Sequence, residues 1–245
     1  MTFASTSTTR ITRLPERQRF DRAALDDVLD SALVAHLAVV RPDGTPVVLP
    51  LLHARDGDRL LLHGSTGGGL LRAAAGGAPV AVAVTVVDGL VVASSMFNSS
   101  ANYRSAVIFG RCRPVPAEAK PDALRTLSER LLPGRWDEVR PPTSKELAAT
   151  LVLELPLDRA SVKVRSGPPA EHEDDDDLET AGAQWSGVVP LAVVPGDPLP
   201  APGVPAGMPL PPSVQGLLQE PSGRSGREGA RSGSPGSRPG PRPPA

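Results

Sequence analysis

Between residues 21 and 165 the hydrophobic positions change period several times, and each change predicts an element. Leu25, Val28, Leu29, Ala32 and Leu33 recur at the spacing of one helix face, and Asp21 stands where a carboxylate caps a first turn. Three short apolar runs follow, HLAVVR at 36–41, PVVLPLLH at 46–53 and RLLLH at 59–63, separated by the Asp-Gly turns of PDGT and RDGD, which is the pattern of antiparallel hairpins. A short helix over 70–75 ends at Gly76-Gly77. VAVAVTVV at 80–87 and LVVASSMF at 90–97 flank Asp88-Gly89, which reads as another hairpin turn, and SAVIFGRC at 105–112 makes a sixth strand. A helix is expected over 121–132 and another after Thr143, with Glu146 completing a capping box, before LVLELP and SVKVR close the domain.

Six to eight short antiparallel strands with peripheral helices predict a mainly β protein built as a small barrel, because closure removes exposed sheet edges. The βαβ alternation and GxGxxG fingerprint of a dinucleotide-binding sheet are missing.

Composition divides the 245-residue chain. Residues 1–11 read as a disordered N-terminus, 12–169 as the barrel domain, and 170–195 as an acidic linker, with EHEDDDD at 171–177, followed by a returning segment. From 196 to 245 there are 13 prolines and 10 glycines among 50 residues and no aromatic side chain, so this tail is expected to be disordered. Its five arginines have no aromatics between them for base stacking, and the whole chain carries a formal charge of −1, so nucleic acid is not an expected partner. A single cysteine, Cys112, excludes an intramolecular disulfide framework. No apolar run is long enough to span a membrane, and a soluble cytoplasmic protein is expected.

Candidate chemistry gathers in two segments. HGSTGGGLL, 63–71, runs from a strand into a helix, where unpaired backbone N–H groups and the helix dipole attract a phosphate; Ser65 and Thr66 add hydroxyls. It lacks the GK[ST] ending of a triphosphate-binding loop, so a mono-phosphorylated cofactor fits better. FNSSANYRS, 97–105, holds the only tyrosine, and Arg104 there has the charge and fork geometry to meet a phosphate or a ring carbonyl. KVRSG, 163–167, puts two cations on one strand face. Histidines lack the HExxH spacing of a zinc helix, and no GxSxG elbow appears, so no metal site or serine-hydrolase centre is expected.

In order along the chain, TRLPERQRFDRAALDDVLDSALVAHLAVV, TPVVLPLLHARDGDRLLLHGSTGG, VTVVDGLVVASSMFNSSANYRSAVIFGR, PGRWDEVRPPTSKEL and KVRSGPP resemble the pyridoxamine phosphate oxidase-like flavoproteins, and most closely their nitroimidazole-reductase-like branch. The resemblance covers about 12–191 and implies an FMN-binding split β-barrel, usually a homodimer with flavin at the subunit interface. It implies that Val48, Leu49, Pro50 and Leu51 run along the flavin ring. His63, Gly64, Ser65, Thr66 and Gly69, with Arg72 behind them, take the phosphate side, while Asn102, Tyr103, Arg104 and Ser105 complete the pocket. Two departures stand out: Gly67-Gly68-Gly69 lies where relatives place a cation, and Asn98-Ser99 where the branch often has a histidine pair. The expected function is an FMN-dependent oxidoreductase acting on a small molecule. A flavin carrier without turnover and a deazaflavin- or haem-binding barrel are the alternatives.

Overall fold

The computed structural model describes residues 6–41, 43–169 and 184–219; the acidic run at 171–177 and the last residues, 220–245, lie outside that set. Helix α1 spans Arg22–Ser31, with the Asp21 carboxylate accepting from the Ala24 amide at 2.8 Å and Leu25, Val28 and Leu29 fully buried. The periodic run extends past the helix, because Ala32 is already extended backbone.

Among the described residues ten strands follow one another: β1 (Gln18–Arg19), β2 (Val34–Val40), β3 (Pro46–Asp56), β4 (Arg59–Ser65), β5 (Pro79–Val92), β6 (Ser100–Arg111), β7 (Arg113–Pro114), β8 (Thr150–Pro156), β9 (Ala160–Arg165) and β10 (Gly187–Pro190). Every pairing is antiparallel, and the spatial order β1-β9-β6-β5-β2-β3-β4-β8-β7 leaves β1 and β7 as unjoined ends, so the sheet curls without closing. This is the mainly β, split-barrel architecture expected. Strands β1, β7 and β10, of two, two and four residues, are too short to stand out in the sequence.

One strand differs from expectation. Asp88-Gly89 does not turn the chain: β5 runs straight through it with a register shift between Val87 and Gly89, and the turn comes at 93–99. The reason is tertiary. Strand β10 returns to pair with β5 from Gly89 to Val92, and a Cβ on Gly89 would stand 2.9 Å from the Val189 carbonyl oxygen. Glycine admits this close backbone approach. Consequently residues 100–105 lie in strand β6, not in a loop.

The helices α2 (Gly69–Ala75), α3 (Lys120–Leu131), α4 (Arg135–Glu138), α5 (Ser144–Ala149) and α6 (Pro212–Gln219) lie in the connections and at the end. Alternation gives the sheet two kinds of inner face. Leu60 and Leu62 join the main core with α1, β2 and β5, whereas Leu61 and Val152 face α3 and form a second cluster with Ala54, Val115, Ala123 and Leu127. Among the described residues no helix is long and apolar enough to cross a membrane.

Composition also concealed an anchor in the chain after 196. Residues 196–219 include α6, whose Ser213 is buried and donates from its amide (2.8 Å) and its hydroxyl to the Glu138 carboxylate of α4. Those hydrogen bonds lower the Glu138 pKa.

Candidate functional site

Strand alternation carries His63 onto the face that Leu61 shares, opposite Val152 in the β4–β8 register and toward α3. There it lines a cavity of about 610 Å³ with Leu124, Leu127 and Leu131 of α3, Trp136 of α4 and Val139. Arg140 and Glu146 stand at the same cavity, paired at 2.7 Å, with Thr143 and Glu146 capping α5 reciprocally. The volume lies in the range of ligand sites, and the lining is mostly apolar. The His63 Nδ1 is buried with no hydrogen-bond partner, and burial lowers its pKa, so the ring is held neutral. An unpaired buried donor or acceptor is costly, and a neutral imidazole beside an apolar cavity is a ready metal-centre ligand. His53, by contrast, is sealed in the core, with Nε2 3.1 Å from the Leu29 carbonyl oxygen.

The 63–69 loop gives several of its donors to acceptors of the protein itself. Thr66 donates from its amide to the Ala149 carbonyl oxygen at 3.0 Å and from its hydroxyl to the same atom at 3.2 Å. The Gly67 amide donates to the Ser65 hydroxyl and the Gly68 amide to the Ser65 carbonyl oxygen. A Cβ on Gly64 would sit 2.4 Å from Leu71 Cδ1, so a larger residue there would oblige the tip of Leu71 to shift. Helix α2 begins at Gly69 without a side-chain cap, and Arg72 is exposed on it.

On β3, Val48 and Pro50 point outward while Leu49 and Leu51 pack on the core. Their outward neighbours across the ladder are Ala38 and His36 of β2, flanked by exposed Val34, Val40 and Leu52. This gives one broad, mostly apolar sheet face open to the outside.

Of the β6 residues, Arg104 has its guanidinium committed: it meets Asp88 at 2.8 Å, Asp27 at 2.6 Å and the Ser31 hydroxyl at 2.8 Å, so it ties β5 and β6 to α1. These carboxylates raise its pKa, Asp88 foremost. Ser105 donates weakly to the Lys163 carbonyl oxygen at 3.4 Å. Tyr103 lies opposite Arg165 of β9, and Asn102 takes a hydrogen bond from the Arg165 guanidinium. Sequence reading placed Arg165 only as one of two cations on a strand face. Its burial depends on the β6–β9 register and has no local signal. Among the described residues no group of three or more His, Cys, Asp or Glu side chains gathers that could by itself hold a free metal ion.

A family model described as pyridoxamine 5'-phosphate oxidase matches residues 21–164. No curated protein matches the chain. Among solved structures, the FAD and haem binding protein from Mycobacterium smegmatis is 49% identical with a TM-score of 0.77, over 82% of this chain and 97% of that one. The flavocytochrome Anf3 from Azotobacter vinelandii is 32% identical with a TM-score of 0.79, over 87% and 98%. A 5-nitroimidazole antibiotic resistance protein from Bacteroides thetaiotaomicron, 18% identical with a TM-score of 0.52 over 60% and 86%, shares the fold.

Proposed function

Since the chain belongs to the pyridoxamine 5'-phosphate oxidase family, we propose that it is a flavin- and haem-binding redox protein of the split-barrel type, acting on a small molecule as a homodimer. The observation that carries this reading is the 49% identity, over nearly the whole length of that relative, to a protein that binds FAD and haem. FMN was the cofactor expected from the family; two relatives above 30% identity, an FAD and haem binding protein and a flavocytochrome, favour a flavin with haem, and the first of them favours FAD.

The residues fit both groups. His63, neutral and unpartnered at Nδ1 on an apolar cavity, suits the role of protein ligand to the iron, with Leu124, Leu127, Leu131 and Trp136 excluding water around it. The open face of β2 and β3, with Val48 and Pro50 outward, suits a flat ring sandwiched against a second subunit. When bound, a flavin supplies two-electron chemistry and a haem one-electron chemistry. The chain's part is to hold them, orient them and keep solvent out. The dimer is supported by that face and by the arm from 191 to 210, where Val193 and Leu199 are 96% and 91% exposed, an exposure that a second subunit would cover.

The test is the absorption spectrum of the full chain purified after growth with riboflavin and haem precursor. Flavin and Soret bands together are expected, with FAD as the flavin released on heating. A protein that takes up flavin but no haem, even on reconstitution with haemin, returns the reading to the flavin oxidoreductase or carrier.

A further inference from the structure

One side of the His63 cavity, with Trp136, Val139, Arg140 and Pro142, comes from a single short stretch between α3 and α5. Helix α4 within it is four residues long, buries none of them, and is entered through Gly134 at φ 81° without a side-chain cap. A single turn of helix does not persist on its own hydrogen bonds, because fixing the first turn costs more than it returns. Its position depends on what reaches it from elsewhere. The two ends of the stretch are pinned: the Gly134 amide donates to the Glu129 carboxylate at 2.7 Å, and Arg140 pairs with Glu146 at 2.7 Å. The middle, which carries Trp136, is held through Asp137 and Glu138. Asp137 meets Arg125 of α3 at 2.7 Å, but both side chains are at least half exposed, and such a pair is weak.

Glu138 has the stronger tether. One carboxylate oxygen accepts from the Ser213 amide at 2.8 Å and the other from the Ser213 hydroxyl, and Ser213 is 5% exposed. Ser213 is the second residue of α6, so the carboxylate sits at the positive end of that helix and takes an amide that has no partner within it. The chain leading there is loose. Every residue from 191 to 210 is exposed, and the Val204 and Met208 amides in it donate to carbonyls three residues back. An exposed arm that ends in one buried, doubly bonded serine on a cavity wall has the form of a strap.

We propose that α6 is a strap that holds α4 over the His63 cavity, and that the Ser213–Glu138 contact sets how fast a bulky apolar ligand enters and leaves. Ser213 and Glu138 are positioning residues, acting through Trp136 and Val139. Release of two hydrogen bonds frees the middle of the stretch to swing between its pinned ends, a local opening far less costly than unfolding the sheet. That the ligand is a haem rests on the reading above, whereas the strap rests on the cavity wall.

The experiment uses the full chain carrying Trp185→Phe, which leaves Trp136 as its one tryptophan, and compares Ser213→Ala, Glu138→Ala and the double variant. Acrylamide quenching of the ligand-free protein reads the wall. Haemin uptake, and haem transfer to excess apomyoglobin, read passage. Ser213→Ala should raise quenching and speed both uptake and loss by about 10-fold, and Glu138→Ala by roughly 10- to 100-fold, since it frees both donors. The double variant should match Glu138→Ala, because the hydroxyl then has no carboxylate left to lose. Entry and exit share one opening, so the equilibrium affinity changes far less than either rate. Unchanged rates in Glu138→Ala overturn the proposal. Faster loss with unchanged uptake also overturns it, because the pair would then support the bound ligand and not its passage. Should Glu138→Ala fail to fold, the same two rates in Ser213→Ala decide. If the chain takes up no haemin, the haem reading fails by itself and 1-anilinonaphthalene-8-sulfonate becomes the probe: association and dissociation that both quicken in the variants support the strap. Equal rates in all variants, or a cavity that takes neither probe, overturn it.

Discussion

At the scale of single residues, two side chains that both stood out in the sequence have different surroundings. Arg104 carries the charge and fork of an oxyanion binder, yet Asp27 and Asp88 already occupy it and its side chain is 12% exposed. Arg104→Ala is therefore expected to cost about 1.5–3 kcal/mol of stability, as for hydrogen bonds to charged groups, while flavin affinity in the folded fraction stays the same. Urea unfolding and flavin titration of one preparation check both halves. His63 is the opposite case, since the iron-ligand role proposed for it makes a separate expectation: His63→Ala should lose the Soret band and keep the flavin bands, a result read directly from the spectrum. Loss of both bands would mean that the ring is needed for folding alone.

At the scale of elements, the junction of β5 with β10 is the point where the chain could not be read locally. Gly89→Ala would press a methyl group onto the Val189 carbonyl oxygen, and overpacking of this kind costs about 1–3 kcal/mol. Detachment of β10 is the expected relief, seen as faster hydrogen exchange at Val188 and Val189 with β5–β6 pairing still protected. Helix α5 gives a pH prediction. Its Glu146 carboxylate is depressed to about 2, first by the Arg140 hydrogen bond and then by the Thr143 amide and hydroxyl. A depressed carboxylate stabilises the fold above its unfolded value of 4.5, and that contribution is lost as pH falls through about 2. Trp136, on the same cavity, should report fraying of α5 over that window by fluorescence, and the response should vanish in Glu146→Gln.

At the scale of the whole molecule, two truncations of the chain after 190 are expected to differ. Removing 220–245 should leave the unfolding midpoint unchanged, whereas removing 196–245 also takes away Ser213 and its two hydrogen bonds to Glu138 beside the His63 cavity, and should lower the midpoint and alter Trp136 emission. Equal midpoints for the two truncations would show that the anchor contributes nothing. Sedimentation should give a dimer for the full chain; charge placed on the open face by Val48→Asp is expected to weaken it, because a charge buried at an apolar contact must be desolvated without a partner.

Local physics was enough for much of this protein. Asp21 and Thr143 mark helix starts because a capping oxygen acts on amides three residues away, and β2, β3 and β4 are legible because alternation and Asp-Gly turns are short-range. The ordered succession of those segments also carried the family and its split barrel. The site was a different matter. His63 belongs to a cavity because α3 and α4 fold over β4 from about sixty residues downstream, Gly89 serves a strand a hundred residues away, and the partners that occupy Arg104 come from α1 and β5. Whether an arginine is satisfied depends on which carboxylates the fold brings within a few ångströms, and electrostatic pairing at that range is a property of tertiary packing, with no trace in the residues on either side.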